Sequence, residues 1–340
     1  MLKSWRFWIG LAISAVSLYF AFQGIRLDQV GEALRGMDYK WLVPATAMFL
    51  VSYGTRAFRW QLLFSPQKLR LSNVFHALNI GYFLSNILPA RLGDVVRAYL
   101  LGDMEGVSKA RALSTVVVER LFDGLAVVLV LAATAFFVPN IPDGAPQGAL
   151  GVAAAGIAGI AFLLVLSFHK ARGLALLRRI ISPAPLLRSE KLWSTLENLV
   201  DGFAVLRSPR PVFGVGAWSL AAWGLGGLMF WTMMQAMSLN LALPAAFLVM
   251  TVTSLVVVVP SSPGYVGVFH YAATLTLTSV FNVDKSTAFS YAVVMHAFNY
   301  IWLIALGVYS IWHEGLSYQR LQMIQAEKPE TAAAKTSHIP

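Results

Sequence analysis

The chain contains no cysteine, so disulfide bonds and thiolate metal sites are excluded, and redox and zinc-finger functions with them. No two histidines have metal-ligand spacing. A Walker A nucleotide loop is absent, and Gly214-x-Gly216 lacks both the third glycine and the preceding strand of a dinucleotide loop. We therefore expect no metal, no cofactor and no direct use of ATP.

Charge is also scarce, since only 12% of the 340 residues are charged, against about a quarter in soluble domains. Hydrophobic residues make up 57% of the chain, and the mean hydropathy is +0.65. The net charge of +10 comes mostly from short connections between apolar runs, where basic residues set membrane orientation and meet anionic lipid. Nucleic acid is therefore not an expected partner, and the composition predicts an all-α polytopic membrane protein.

Apolar runs mark the membrane segments. Six of them predict helices that cross the bilayer: 5–22, 41–58, 112–138, 148–168, 212–237 and 287–312. The first has no small-residue cleavage site behind it, which favours a spanning helix over a signal peptide. The run 74–88 is short for a crossing and favours a re-entrant hairpin, while 241–259 and 265–281 are joined at 260–264. Segment 24–40 could form a short surface helix.

The distribution of basic residues predicts the orientation. The connection from Arg59 to Asn73 has three basic residues and no acid, 139–147 has no Lys or Arg, and 170–210 is the most basic connection. Both termini are therefore expected in the cytoplasm of a multi-pass inner-membrane protein. The assignments agree only if 74–102 enters and leaves on the cytoplasmic side. The polar tail, 314–340, is expected to be largely disordered after about Ala326.

The chain repeats itself internally. The turn Pro89-x-x-x-Gly93 recurs as Pro260-x-x-x-Gly264, and ALSTVVVERLFDG from Ala112 aligns with AFSYAVVMHAFNY from Ala288. In the second alignment Glu119 maps to Met295, Arg120 to His296, and Asp123 to Asn299. The predicted half-repeats are about 41–138 and 212–312, linked by 139–211.

The two halves are predicted to have opposite orientations, because the helix from Ala112 runs outward and the helix from Ala288 runs inward. Inverted repeats with broken helices that meet near the midplane are typical of transporters that alternate access. The Pro-x-x-x-Gly turns are then hairpin tips that act as gates, at Pro89, Gly93, Pro260, Pro263 and Gly264. Backbone N–H groups at such tips and at helix N-termini favour an anion.

Three motifs resemble those of a known family: N-x-L-P-x-R-x-G-D-x-x-R from Asn86, V-E-R-x-x-D-G from Val118, and P-x-x-P-G-x-x-G from Pro260. Together they resemble the lysylphosphatidylglycerol synthase transmembrane region, also called the flippase-like or UPF0104 family, over roughly residues 5–312. The resemblance implies translocation of a lipid with a polar headgroup between leaflets. No aminoacyl transferase domain is expected after residue 312, so lysine transfer to lipid is not expected.

Charged residues in apolar segments are the candidate site, because a charge at the centre of a membrane helix costs roughly 2.5 to 3.5 kcal/mol. We expect Arg91, Arg97 and Arg120 to bind the headgroup, since guanidinium groups suit phosphate. Asp94, Glu119 and Asp123 would orient those arginines. The remaining candidates for substrate binding are Asn86, His270, His296 and Tyr265.

Plainer interpretations of these residues stay open. Arg91 and Arg97 could be cytoplasmic-loop arginines, and Glu119, Arg120 and Asp123 could form a purely structural ion-pair cluster on one helix face. His270 and His296 each stand alone on an apolar helix and could be core residues or have a proton-linked role.

The sequence thus predicts a lipid transporter with one domain, 1–313, and no enzymatic activity. One alternative is a membrane-embedded enzyme acting on isoprenoid or hopanoid lipid, with Asp94 or Glu119 as acid or base. Another is an accessory protein of lipid or glycolipid synthesis that docks a partner through 170–210. The partners considered are an anionic phospholipid or lipid-linked phosphate, a second copy of the chain, and a lipid-synthesis enzyme.

Overall fold

The computed structural model describes residues 15–87, 92–138, 203–257 and 262–316, with scattered residues of 151–200. The regular structure in these ranges is helical, as the all-α prediction requires. Several predicted features lie wholly or mostly outside the described residues. They are Pro89, Arg91, Pro260, the runs 5–22 and 148–168, the basic connection 170–210, and the tail after 316.

Residues 15–22 are helical, and the helices with defined ends are numbered from there onward. They are α1 (Leu27–Arg35), α2 (Leu42–Leu62), α3 (Leu71–Ile87), α4 (Gly93–Glu105), α5 (Lys109–Ala135), α6 (Pro209–Ala236), α7 (Leu243–Val256), α8 (Val268–Phe281) and α9 (Lys285–His313). The predicted starts of α5 and α9 were two to three residues late, because their first turns are polar. Ser108 and Asp284 begin these helices by accepting backbone N–H groups of the first turn.

Two of the described helices, α6 and α9, are long and apolar enough to cross a membrane by length and composition. Helices α2 and α5, with 21 and 27 residues, are also long enough. They are less apolar because they carry charged residues in their interiors.

The structure corrects the prediction for Arg59. The sequence pattern assigned it to a cytoplasmic connection, but α2 continues to Leu62, and the Arg59 side chain is fully buried. Its charge is compensated by carboxylates of α5, which a count of charges along the sequence cannot detect. The connection after α2 retains Lys68 and Arg70.

The two halves have matching helix orders and contacts. The first half is α2 to α5 and the second is α6 to α9. In each half, a long helix is followed by two shorter helices and then by another long one. Neighbouring helices pack on each other within each half, and α3 packs on α9 as α7 packs on α5. Helices α2 and α6, which are equivalent in this order, also pack together. The halves differ in one respect, since α5 contacts α6 more extensively than α9 contacts α2. One apolar core lies mainly among α2 to α5, and a second mainly among α2 and α6 to α9.

Two glycines allow the α3–α4 hairpin to close. A Cβ atom on Gly93 would overlap the backbone oxygen of Gly81 and the backbone of Ser85. A Cβ atom on Gly81 would lie 2.6 Å from the Cβ atom of Arg97. In the second half, Gly264 has a φ of 80°, which favours glycine, and it lies against the Tyr300 hydroxyl.

Candidate functional site

Six charged side chains of α2, α4 and α5 form a closed ring in which cation and anion alternate. The order around the ring is Arg59, Glu119, Arg97, Asp94, Arg120 and Asp123, returning to Arg59. Five of these residues were predicted from the sequence as site residues. The sixth, Arg59, was assigned elsewhere.

The ring is held by paired hydrogen bonds. Arg97 donates to both oxygens of Glu119, at 3.1 and 3.2 Å, and its Nε donates to Asp94 at 3.1 Å. Arg59 donates to both oxygens of Asp123, and its Nη2 lies 3.0 Å from Glu119. Arg120 donates to Asp94 at 2.7 and 3.1 Å, whereas its distance to Asp123 is 3.8 Å. The weakest link therefore joins Arg120 to Asp123.

Burial differs sharply around the ring. The side chains of Arg59, Arg97 and Glu119 are completely buried, whereas that of Arg120 is 37% exposed. The ring contains three guanidinium groups and three carboxylates, so its charges cancel. A buried charge is tolerated only when it is paired and hydrogen-bonded, and cancellation lets this group lie inside apolar helices.

Aromatic and hydroxyl groups complete the surroundings of the ring. The Arg97 guanidinium lies 4.7 Å from the Trp60 ring centroid. The Tyr82 hydroxyl donates to Glu119 at 3.3 Å. The Ser219 hydroxyl accepts from Arg59 at 2.9 Å. Trp60 is fully buried, and its indole N–H donates to the Thr115 hydroxyl at 3.0 Å.

A cavity of about 420 Å³ lies beside the exposed end of the ring. That volume is within the usual range for small-ligand sites. Of the ring, Arg120 and Asp123 line it, whereas Arg97, Asp94 and Glu119 do not. The described residues of the predicted site therefore divide into a cavity wall and a group of buried supports.

Residues that are equivalent in the two halves meet at this cavity. Arg120 and Asp123 line one side, and their repeat partners His296 and Asn299 line it as well. The offset that relates Pro89 to Pro260 also relates Asn86 to Val257, and both of these line the cavity. A hydrogen bond of 3.1 Å from the Tyr300 hydroxyl to Asn86 joins the halves here.

A second cavity of about 270 Å³ shares part of the same wall. Arg56, Asn86, Trp223 and Asn299 line both cavities. The second one extends along Phe49, Met229, Met250 and Leu303, which are apolar. The larger cavity, with its polar wall, and the apolar part of the smaller cavity therefore meet at Arg56.

His270 and His296, predicted from the sequence as lone histidines of two apolar helices, contact each other in the fold. Their ring centroids are 4.7 Å apart, in an edge-to-face arrangement. Nε2 of His296 lies 2.9 Å from the backbone oxygen of Gly264, and Nδ1 of His270 lies 3.3 Å from the backbone N of Gly267. His296 and Tyr265 line the cavity, whereas the buried His270 lies behind His296.

A second histidine pair was not visible in the sequence. His76 of α3 and His313 of α9 stack with centroids 4.1 Å apart, and Glu314 lies 3.1 Å from His313. Candidate ligand atoms of the three residues lie within 4.8 Å of one another. The expectation that no histidines have metal-ligand spacing therefore holds for the sequence but not for the fold. This group is separate from the cavity.

Several cavity residues were missed by the sequence interpretation, namely Arg56, Trp223, Phe269 and Tyr300. Asn299 had been identified only as the repeat partner of Asp123. A signal existed for Arg56, which lies one turn before Arg59 in an apolar helix. Of the predicted gating turns, Gly93 and Gly264 are described, and Pro263 only in its backbone.

Comparison with known proteins gives a consistent picture. A profile of the family described as the lysylphosphatidylglycerol synthase TM region matches residues 7–307. A UPF0104 membrane protein of Methanocaldococcus jannaschii is 28% identical over 226 residues, which are 66% of this chain and 91% of that protein. The glycosyltransferase AglD of Haloferax volcanii is 26% identical over 322 residues, 85% of this chain and 51% of AglD. The chain thus spans about half the length of AglD.

Proposed function

The chain belongs to the lysylphosphatidylglycerol synthase transmembrane-region family of membrane proteins, and we propose that it moves a lipid with a phosphate-bearing headgroup between the leaflets of a membrane. The headgroup would bind in the cavity between the two halves, with Arg120 and Arg56 as its cationic partners. The buried Arg97 and Glu119 and the partly exposed Asp94 would act as supports that position Arg120. We propose no catalytic step.

The observation that carries this proposal is the meeting of equivalent residues at one cavity. Arg120 with Asp123 and their partners His296 with Asn299 are separated by 176 residues along the chain, yet they line the same space. Transporters built from inverted repeats bind substrate at the interface between the repeats, near the bilayer midplane. A site built equally from two exchangeable halves can be opened to either side.

The helix lengths favour re-entrant hairpins around that cavity. Helices α4, α7 and α8 have 13, 14 and 14 residues. At 1.5 Å per residue each is about 20 Å long, which is short of the roughly 30 Å hydrocarbon core. The matching contacts of the two halves favour an internal two-fold relation. The alternation of basic and non-basic connections favours an inverted one, with both termini in the cytoplasm.

A second candidate function is favoured by one comparison. The likeness to AglD, a protein named as a glycosyltransferase, supports a role as an enzyme or accessory protein of glycolipid synthesis. The proposed acid or base residues count against the enzyme, since Asp94 and Glu119 are already bound by guanidinium groups and neither lines the cavity.

A vesicle assay separates the candidates. The purified chain is reconstituted into liposomes, and the movement of a fluorescent phosphatidylglycerol is followed by quenching of the outer leaflet. We expect the wild type to move lipid faster than protein-free liposomes, and Arg120→Gln to abolish most of that gain because it removes a cation of the cavity wall. Arg35→Gln, an exposed change on α1, is the matched control.

Movement no faster than in protein-free liposomes would refute the transport proposal. Formation of a new lipid product by the detergent-solubilised protein would instead establish the enzyme. Equal rates for wild type and Arg120→Gln would refute the assignment of Arg120 to headgroup binding.

A further inference from the structure

The surplus charge at the cavity belongs to Arg56. The ring is neutral, and Arg56 is the one cationic residue among those described that lines the cavity without belonging to the ring. Its guanidinium lies 5.5 Å from the Trp223 ring centroid, and Asp123 attracts it without forming an ion pair. The described wall of the cavity holds Arg56 and Arg120 against the single carboxylate of Asp123, so it carries an excess of one positive charge beside an aromatic ring.

No carboxylate in the described wall is available to a ligand. Asp123 is the acidic residue that lines the larger cavity, and the smaller cavity has none. Both Asp123 oxygens accept bonds from Arg59, and one also accepts from Trp223 Nε1 at 3.1 Å. A cationic headgroup would thus meet Arg56 and Arg120 without finding a free counter-ion, which costs free energy in a poorly solvated site.

The opposite wall offers neutral hydrogen-bonding groups and aromatic rings. Because His296 Nε2 donates to the Gly264 carbonyl, Nδ1 is the acceptor of the neutral ring. Asn299 donates through Nδ2 to Met295, and its Oδ1 remains an acceptor. Tyr265, Phe269 and Tyr300 add ring faces. Hydroxyl groups on a carbon framework suit this wall, because they can donate to the acceptors while their C–H faces contact the rings.

On the basis of the proposed function, we propose that the lipid is an anionic phosphodiester whose headgroup bears hydroxyl groups and no positive charge. The phosphodiester binds at Arg56 and at Nη1 of Arg120, the guanidinium nitrogen that is not bound to Asp94, and the hydroxylated part lies against His296 and Asn299. Headgroups that carry an amino group, such as an aminoacylated glycerol, are rejected. The cavity volume of about 420 Å³ allows a polyol or a single sugar ring.

The test measures lipid binding by the full chain in phosphatidylcholine nanodiscs that contain phosphatidylglycerol, phosphatidylinositol or lysyl-phosphatidylglycerol as guest lipid. We expect the two anionic lipids to bind about tenfold or more tightly than lysyl-phosphatidylglycerol, because a hydrogen-bonded charge contact is lost and repulsion is added. Phosphatidylglycerol as the sole strong binder indicates a small polyol headgroup, and preference for phosphatidylinositol indicates a ring.

Two variants tie the preference to Arg56. Arg56→Gln should lower the affinity for phosphatidylglycerol by about tenfold. Arg56→Lys should lower it less, because the charge remains although the planar guanidinium beside Trp223 is lost. Arg35→Gln should leave it unchanged. Elution as a single species by size exclusion shows that each variant is folded.

Binding of lysyl-phosphatidylglycerol as tightly as phosphatidylglycerol would overturn the inference, as would an unchanged affinity in folded Arg56→Gln. Either result leaves the transport proposal intact if the liposome assay shows movement. Selective binding without any movement would instead remove the transport proposal and leave the headgroup preference established.

Discussion

At the scale of single residues, the alternating ring separates charges that bind from charges that support. Arg59 and Arg97 are completely buried and joined through the equally buried Glu119, and none of the three lines the cavity, so they set the geometry of its wall without reaching it. Arg120 faces both ways, bound to Asp94 on one side and lining the cavity on the other. Removal of a support and removal of a binding group should therefore have different consequences.

Glu119→Gln should destabilise the protein strongly. Glu119 compensates Arg59 and Arg97 together, and breaking a buried ion pair by removing one partner costs about 3–5 kcal/mol. The expected result is a clear fall in the thermal unfolding midpoint of the detergent-solubilised chain. Glu32→Gln, an exposed change on α1, is the control, and equal midpoints for the two variants would contradict the role assigned to the ring.

The sequence identified five of the six ring residues because charge in an apolar segment is conspicuous. It misplaced Arg59, since a cation three residues before the end of a helix resembles a loop residue until its partners are known. Those partners lie 60 and 64 positions away, on α5. No local pattern carries that information, and the same holds for the contact of His270 with His296.

At the scale of helices, the hairpin of α3 and α4 depends on two close approaches. Gly93 lies against the backbone of Gly81 and Ser85, and Gly81 lies against the side chain of Arg97. Since Arg97 and Asp94 belong to α4, the fit of the hairpin sets the position of two of the six ring residues.

Gly93→Ala should open this hairpin. The added methyl group meets backbone atoms that cannot rotate away, so we expect a loss of about 1–3 kcal/mol in the free energy of unfolding and a lower rate of lipid movement. Gly54→Ala is the control, because a Cβ atom at Gly54 would meet nothing within 4 Å. There the change should be neutral or slightly stabilising. A Gly93→Ala protein as stable and active as Gly54→Ala would show that the close approach is dispensable.

Helix existence was predictable from apolar runs, whereas helix ends were set by features the runs do not contain. Helices α5 and α9 start earlier than their apolar stretches because Ser108 and Asp284 cap polar first turns. Helix α2 extends beyond its apolar run because the charge of Arg59 is paired with the carboxylates of Glu119 and Asp123. In each case a specific polar contact replaced hydropathy as the deciding factor.

At the scale of the whole molecule, the cavity lies where the two halves meet and is lined by equivalent positions from both. The sequence alignment of the halves predicted which residues are equivalent, but only packing of α3 on α9 and of α7 on α5 brings them to one place. The predicted inversion of the halves stays a prediction, and an accessibility experiment tests it.

The absence of cysteine makes that experiment free of background. A single cysteine at Ser254, which lines both cavities, should react with a membrane-impermeant maleimide from either side of oriented vesicles. The reason is that alternating access exposes the interface of the halves to each face in turn. Saturating phosphatidylglycerol should slow the labelling. Ala77→Cys, at a completely buried position, should stay unlabelled. Labelling of the Ser254→Cys protein from one side alone would refute alternation.

The ring also constrains the order in which the protein can be built. Arg59 leaves the ribosome 64 residues before Asp123, so for that interval its helix carries a charge without its final counter-ion. Stable lateral release of this helix from the translocation channel must therefore wait until α5 has emerged. In nascent chains halted before residue 119, α2 should still cross-link to the translocation channel, whereas in chains halted beyond α5 it should cross-link to lipid.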